Sequence, residues 1–364
     1  MSEHVLTSVK NHIGFITLDR PKALNSLSLD MVRAMTASLL QWREDEHIRA
    51  VFIQSSSEKA LCAGGDIRFF YDVGTATPTG DSALLEDFFT EEYALNHLIH
   101  FYPKPYIALM NGVVMGGGMG IAQAGPDTSV RIVTERTKMA MPEVNIGLFP
   151  DVGGGYFLSR TPGQIGTYLG LSGEIIVAAD ALYAGLADVF VPTTEIPALM
   201  DFLSNSDATD WRKAIHDFAS AFASKVDPAQ SKLAAQRAEI DALFIGDSVP
   251  VITERLKASD STFAQTTLAT MAKRSPLLMS VTLEQLRRSA SMSVSDCLRM
   301  ERTMVRHCFK HGEVLEGVRA LVVDKDNQPR WSPADLSEVT RDMVVEFFTP
   351  VWPKYAHPLR SLVG

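Results

Sequence analysis

The residues best suited to chemistry are two acids, Glu143 and Asp151, in the segment MPEVNIGLFPDVGGG at 141–155. On a continuous helix, eight residues of separation would place them about 80° and roughly 12 Å apart. Pro142, Gly147 and Pro150 interrupt any such helix, so the spacing predicts a kinked loop able to turn both carboxylates inward. Each acid stands in apolar sequence, Met-Pro-Glu-Val and Phe-Pro-Asp-Val. An unpartnered buried carboxylate is costly, which argues that these two have a task. Two structural roles compete with that reading: Asp151 as N-cap of a helix running from Gly153 to Leu158, and Glu143 as half of a buried ion pair.

Two more glycine-rich loops follow apparent strands, KALCAGGDIRFF at 59–70 and NGVVMGGGMG at 111–120. None of the three loops carries the Gly-Lys-Ser/Thr of a phosphate loop, or a GxGxxG with an acid about 20 residues on. Nucleotide hydrolysis and hydride transfer therefore lose their usual support. Glycine does allow close backbone approach and leaves N–H groups free, so two such loops converging could aim two donors at one oxygen. That would be an oxyanion hole; turns and tight helix–strand contacts are the plainer reading of the same glycines. The remaining suspects are weaker. The nine histidines are read as offering neither a His-x-x-x-His pair nor an HExxH, and no metal site is expected. The serine before Gly173 lacks the GxSxG elbow, and Cys62 reads as a small buried filler. Glu91, Glu92 and Tyr93, on a helical pattern with Leu95, Leu98 and Ile99, read as a solvated face.

The elements that must position these groups alternate in the first half. Residues 4–18 read as a hairpin turning at 11–14, and 50–54 and 106–110 read as short buried strands. Ser28 is placed to cap a helix whose apolar stripe is Met31, Val32, Met35 and Leu39. This is an α/β pattern, with chemistry expected in loops at strand C-termini. From about residue 196 the strand signal fades, and 230–245 and 262–310 are rich in helix formers. The expected organisation is a core at 1–195 and a largely helical region at 196–364, with linkers near 205–209 and 246–250. The stripe Leu278, Val281, Leu283 and Leu286 reads as core.

Composition sets the outer bounds. With 34 Lys and Arg against 43 Asp and Glu, the 364-residue chain carries a net charge of −9, and no nucleic-acid or anionic-membrane partner is expected. Cys62, Cys297 and Cys308 show no CxxC spacing, which argues against a disulfide framework and for a reducing compartment. No run of about 18 apolar residues occurs, and 1–30 do not read as a signal or transit peptide, so a cytoplasmic location is expected.

At the three loops the sequence resembles the crotonase (enoyl-CoA hydratase/isomerase) superfamily. The segments DRPKALNSLS at 19–28, KALCAGGDI at 59–67 and KPYIALMNGVVMGGGMGIA at 104–122 are similar to its acyl-CoA-binding motifs. EEYALNHLI, MPEVNIGLFPDVGGGYFLSR, SPLLMSVTLEQL and EGVRALVVDKDNQPRW are similar to the branch that hydrolyses 3-hydroxyisobutyryl-CoA in valine degradation. The resemblance implies a crotonase-like spiral of ββα repeats followed by helices, an acyl-CoA substrate and no further cofactor; the C-terminal helices of that superfamily often mediate homo-oligomers, and the sequence leaves the oligomeric state of this chain open. It places the thioester oxygen on the N–H groups of Gly65 and Gly117. It makes Glu143 and Asp151 the catalytic acids and Glu92 a substrate contact, and lays CoA along Ala23, Leu24, Ala63, Asp66 and Ile67. Hydratases carry a second glutamate three residues after the oxyanion glycine, where this chain has Gly120; dienoyl-CoA isomerases carry an aspartate there. Thioester hydrolysis is therefore the expected reaction, with a hydratase or isomerase, or a non-catalytic acyl-CoA-binding protein, as alternatives. The segment 125–129 is a few residues longer than in the hydrolase branch.

Overall fold

Asn11 and His12, both at positive φ (45° and 64°), close a two-residue hairpin between β1 (Val5–Lys10) and β2 (Ile13–Leu18). Paired left-handed residues match the twist of the flanking strands, which is why the turn falls inside 11–14. In the computed structural model, which describes residues 2–77, 82–125, 128–206 and 208–364, this hairpin starts a six-stranded sheet. Pro126 and Asp127 of the lengthened segment, and Asp207 of the 205–209 linker, lie outside the described residues.

The chain divides into two compact units. One comprises Met1–Gly65, Leu95–Ala140 and Ile175–Ala235; the other comprises Asp66–Ala94, Met141–Glu174 and Gln236–Gly364. The first unit holds every strand among the described residues. After the hairpin come β3 (Ala50–Ser55), β4 (Ala60–Cys62), β5 (Tyr106–Met110), β6 (Val113–Met115), β7 (Ser129–Val133), β8 (Lys138–Ala140) and β9 (Val189–Phe190). The large sheet runs β1-β2-β3-β5-β7-β9, antiparallel only in its first pair, and β4-β6-β8 form a small parallel sheet. Three successive pairs, β3–β4, β5–β6 and β7–β8, each send one strand to the large sheet and one to the small. That repetition is the crotonase-like spiral. Parallel strands covered on both faces read as unbroken apolar runs, and β3 and β5 were legible for that reason. Phe15, Phe52, Ile107, Leu109, Val130 and Ile132 form the packed face with Leu199, Leu203, Trp211 and Ile215 from the helices that follow β9.

Ser28 caps the helix Leu29–Glu44 as expected, its hydroxyl accepting the Met31 N–H at 3.3 Å. Beyond Phe190 every regular element among the described residues is helical. In the second unit Phe70, Phe88, Phe89 and Phe309 interlock with ring centroids 4.9–6.3 Å apart. Leu278, Val281, Leu283 and Leu286, on the helix Pro276–Ser289, are buried as core. Cys62, Cys297 and Cys308 are buried and form no disulfide. Among the described residues, no helix is long and apolar enough to cross a membrane.

Candidate active site

In the first unit the glycine loops that follow β4 and β6 touch. A Cβ built on Gly64 would lie 3.7 Å from the N of Gly117 and 3.4 Å from the carbonyl oxygen of Met115. Gly117 opens the short helix Gly117–Gly120, and a first-turn N–H has no acceptor within its own helix. Gly65 pairs with Leu27 through the carbonyl of Gly64, which accepts the Leu27 N–H at 2.8 Å, so the Gly65 N–H takes no part in that bridge. The approach depends on Gly118, where a Cβ would sit 2.2 Å from the carbonyl oxygen of Cys62. Gly118→Ala is expected to cost about 1–3 kcal/mol or more by overpacking. A melting temperature equal to that of the parent protein would show that the loops tolerate separation.

The CoA-binding positions implied by the resemblance divide between the units. Ala23 ends the 3-10 turn Pro21–Ala23, Leu24 follows in the left-handed region (φ 49°), and the Ala63 N–H donates to the Leu24 carbonyl at 3.0 Å. Leu24 is 39% exposed, an apolar surface residue held in place beside Ala63. Asp66 and Ile67 lie in the second unit, where the Asp66 side chain caps the helix Ile67–Ala76 by accepting the Phe69 N–H at 3.3 Å.

The acids assemble in the second unit. Glu143 begins the 3-10 turn Glu143–Ile146, behind Pro142, and Gly147 ends that turn at φ 68°. Only glycine fits there, because a Cβ would lie 2.3 Å from the Glu313 carbonyl oxygen. Glu143 is buried, and its Oε2 has no hydrogen-bond partner. Asp151 is buried too, and accepts the Tyr93 hydroxyl on Oδ2 at 2.7 Å. It is not a helix cap. The helix Gly154–Leu158 starts from Gly153 without a side-chain cap, and Asp151 contributes only its carbonyl, to the Gly154 N–H. Glu143 has no ion-pair partner among the described residues.

The expectation of a solvated face at 91–93 is overturned. Glu92 is 2% and Tyr93 0% exposed, on the inward side of the helix Ala83–His100, and only Glu91 is partly exposed. The error came from reading Glu-Glu-Tyr as a charge run, when the apolar positions Phe88, Phe89, Leu95 and Ile99 put Glu92 and Tyr93 on their own stripe. Glu301 escaped the sequence reading entirely. It is fully buried on the helix Val294–His311, where its two carboxylate oxygens accept the N–H groups of Gly153 (2.8 Å) and Gly155 (3.0 Å). An acid in register with Leu298, Val305 and Cys308 was the signal that could have found it.

Burial dominates the electrostatics of this cluster. It pushes Asp151 up to about 6, against the lowering effect of the Tyr93 hydrogen bond. Glu143 is raised well above the ordinary carboxylate range, first by burial and then by the charge of Asp151. Burial and Asp151 raise Glu92 in the same way. Glu301 is pushed up to about 8 by burial, offset in part by the Gly153 N–H. The nearby Arg302, itself 1% exposed, is engaged by Glu86 at 2.5 Å and Thr90 at 2.9 Å. Asp151 is thus the least raised of these acids, and burial first, then the Asp151 charge, favours the protonated form of Glu143. Such a pair can accept one proton and deliver another. The expectation of no His-x-x-x-His pair is wrong: His307 and His311 stand at that spacing on one helix, but His307 Nε2 is taken by the Thr349 carbonyl at 2.9 Å and both rings pack on Phe347. No three potential ligands cluster for a metal ion among the described residues.

A spiral of ββα units with touching glycine loops in the first unit, and buried acids in a kinked loop of the second, are features of an acyl-CoA enzyme of the crotonase class. Residues 13–348 match the enoyl-CoA hydratase/isomerase family model, and the chain belongs to that family. It is 42% identical over 339 residues to 3-hydroxyisobutyryl-CoA hydrolase, mitochondrial, of Xenopus tropicalis, covering 92% of this chain and 86% of that one. The human protein of the same name is 37% identical over 345 residues, covering 94% and 87%. Among solved structures, a carnitinyl-CoA dehydratase from Mycobacterium thermoresistibile superposes with a TM-score of 0.86 at 41% identity, covering 97% of this chain and 98% of that one. An enoyl-CoA hydratase from Rhodobacter sphaeroides superposes with a TM-score of 0.84 at 36% identity, covering 96% and 98%.

Proposed function

We propose that this chain is a thioester hydrolase that releases CoA from 3-hydroxyisobutyryl-CoA, a step of valine degradation. The observation that carries the reading is geometric: one kinked loop buries two acids, Asp151 accepting the Tyr93 hydroxyl at 2.7 Å and Glu143 with its Oε2 unpartnered, and burial raises both. The substrate comes from the names of the relatives, which share most of this chain's length. Water attacks the acyl carbon, the carbonyl oxygen gathers charge between the N–H groups of Gly65 and Gly117, and the C–S bond breaks to leave CoA thiolate. Removing one such donor typically costs about 2.7–4 kcal/mol of transition-state stabilisation, so these backbone groups carry as much of the rate as acid–base chemistry does. The acid pair takes the proton of the attacking water, and Asp151 and Glu92 orient that water and the substrate hydroxyl. In this reading Glu143 first passes its proton to the Asp151 carboxylate; it then takes a proton from the attacking water, or attacks the carbonyl itself, expelling CoA thiolate to give an anhydride that water opens to the free acid and the Glu143 carboxylate. The thiolate leaves readily because thiols are weakly basic leaving groups. CoA is substrate, and it lies along Ala23, Leu24, Ala63, Asp66 and Ile67.

A second reading, hydration of unsaturated acyl-CoA, is favoured by the names of the two solved structures. Gly120 speaks against it, since it supplies no second carboxylate to place water on a double bond. A panel of acyl-CoA thioesters assayed for free thiol decides between them. Thiol release from 3-hydroxyisobutyryl-CoA is the expected result; loss of crotonyl-CoA absorbance without thiol release would give the protein to the hydratases. Binding of acyl-CoA without turnover of any thioester would reduce it to a carrier.

The proposal includes a cytoplasmic location; three buried cysteines outside any disulfide support a reducing compartment, and the relatives are named mitochondrial. Cell fractionation separates the two. It also includes self-association through the helices of 196–364, supported by the resemblance alone and read by light scattering.

A further inference from the structure

The turn that presents Asp151 is held in an unfavourable backbone state. Val152 lies at φ 54° and is 3% exposed. A β-branched residue in the left-handed region is a genuine outlier, costly enough to persist only where surrounding structure over-determines it. Next to it Gly153 is also left-handed, at φ 87°, and there glycine carries no such cost.

What over-determines this turn is visible. The two oxygens of Glu301 accept the N–H groups on either side of Gly154, from Gly153 at 2.8 Å and Gly155 at 3.0 Å. The Gln285 side-chain amide, 3.0 Å from Glu301 Oε1, also donates to the Pro150 carbonyl at 2.7 Å. The turn is therefore gripped immediately before Asp151, at Pro150, and two residues after it, at Gly153. A Cβ on Gly155 would lie 3.1 Å from Glu301 Oε1, which shows how closely the acid is fitted against the backbone. Glu301 forms none of its described bonds with a cation, and the only side chain among its partners is a neutral amide. An apolar residue of similar size would fill the same space without the cost of burying a carboxylate. Stability of the helix packing does not account for an acid here; the shape of the turn does.

We infer that Glu301 is a positioning residue: by holding the Gly153 and Gly155 N–H groups it keeps Val152 in the left-handed region and so aims the Asp151 carboxylate at the Tyr93 hydroxyl. The inference rests on the hydrolase reading for its kinetic consequence and on geometry alone for its structural one. It extends the working machinery to a helix about 150 residues further along the chain.

Glu301→Gln is close to isosteric and keeps one acceptor oxygen, but turns an N–H donor toward the second backbone N–H. The expected result is a fall in kcat of about tenfold to a hundredfold with KM little changed, because misplacing a reacting group by a fraction of an ångström to 1 Å costs that much. Amide hydrogen exchange across 147–158 should quicken in the same variant. Val152→Gly supplies the second measurement, since glycine adopts φ 54° without strain and needs no clamp. The double variant E301Q/V152G should recover most of the lost kcat. Equal losses from E301Q in the parent and V152G backgrounds, or unchanged kcat and unchanged exchange in E301Q, would overturn the assignment. If the parent protein released no thiol, the hydrolase reading would fall, while the exchange of 147–158 in E301Q would still decide whether Glu301 holds the turn.

Discussion

Glu143→Gln and Asp151→Asn should each lower the release of CoA from 3-hydroxyisobutyryl-CoA by about 10²- to 10⁴-fold while acyl-CoA binding survives. Both changes keep side-chain volume and abolish titration. Glu143→Gln leaves packing intact because Oε2 has no protein partner to lose. Asp151→Asn keeps an oxygen to accept the Tyr93 hydroxyl, so the 2.7 Å contact survives while the charge is gone. Thiol release at saturating substrate, with binding followed by calorimetry, is the measurement. Near-native turnover in either variant would remove that acid from the chemistry, and retained turnover in both would reduce the pair to a structural feature.

The acid pair was legible in sequence because Pro142, Gly147 and Pro150 forbid a helix, and the apolar neighbours of each acid predict burial. The hairpin, β3 and β5 were legible for equally local reasons: turn residues and unbroken apolar runs. Tyr93 and Glu301 were not. Tyr93 meets Asp151 across 58 positions and Glu301 meets Gly153 across 148, and no periodicity within one helix reports a bond to another. The role of Asp151 also turned on a distant group: its side chain was free to cap the following helix, but the buried Tyr93 hydroxyl took it instead. The glycine loops after β4 and β6 lie between these cases, since glycine clusters signal close approach without naming what approaches.

The second large effect is on pH. Burial pushes the Asp151 carboxyl from 3.8 up to about 6. A reaction that needs its carboxylate should lose roughly tenfold in rate for each pH unit below 6. Stability responds with the opposite sign. A buried acid whose native pKa lies above its unfolded value binds more protons when folded, so its stabilising contribution is full below about pH 4 and is lost as pH rises through the native value. For Asp151 that loss spans about pH 4 to 6, and for Glu301 it extends to about 8. At pH 5 the enzyme should therefore be slow but folded, and activity should return on neutralisation. Glu143→Gln removes one costly ionisation, so its melting temperature should exceed the parent's by more at pH 8 than at pH 5. An acid limb that coincided with loss of circular dichroism would mean that unfolding, and not the Asp151 proton, sets the profile.

The state of the cysteines bears on how such work can be read. Burial pushes Cys297 up to about 12 and raises Cys308 as well, so neither holds an appreciable thiolate fraction at neutral pH, and Cys62 is sealed at 0% exposure. A native sample should be almost silent toward a chromogenic disulfide, and the colour that develops during turnover would count liberated CoA thiol alone.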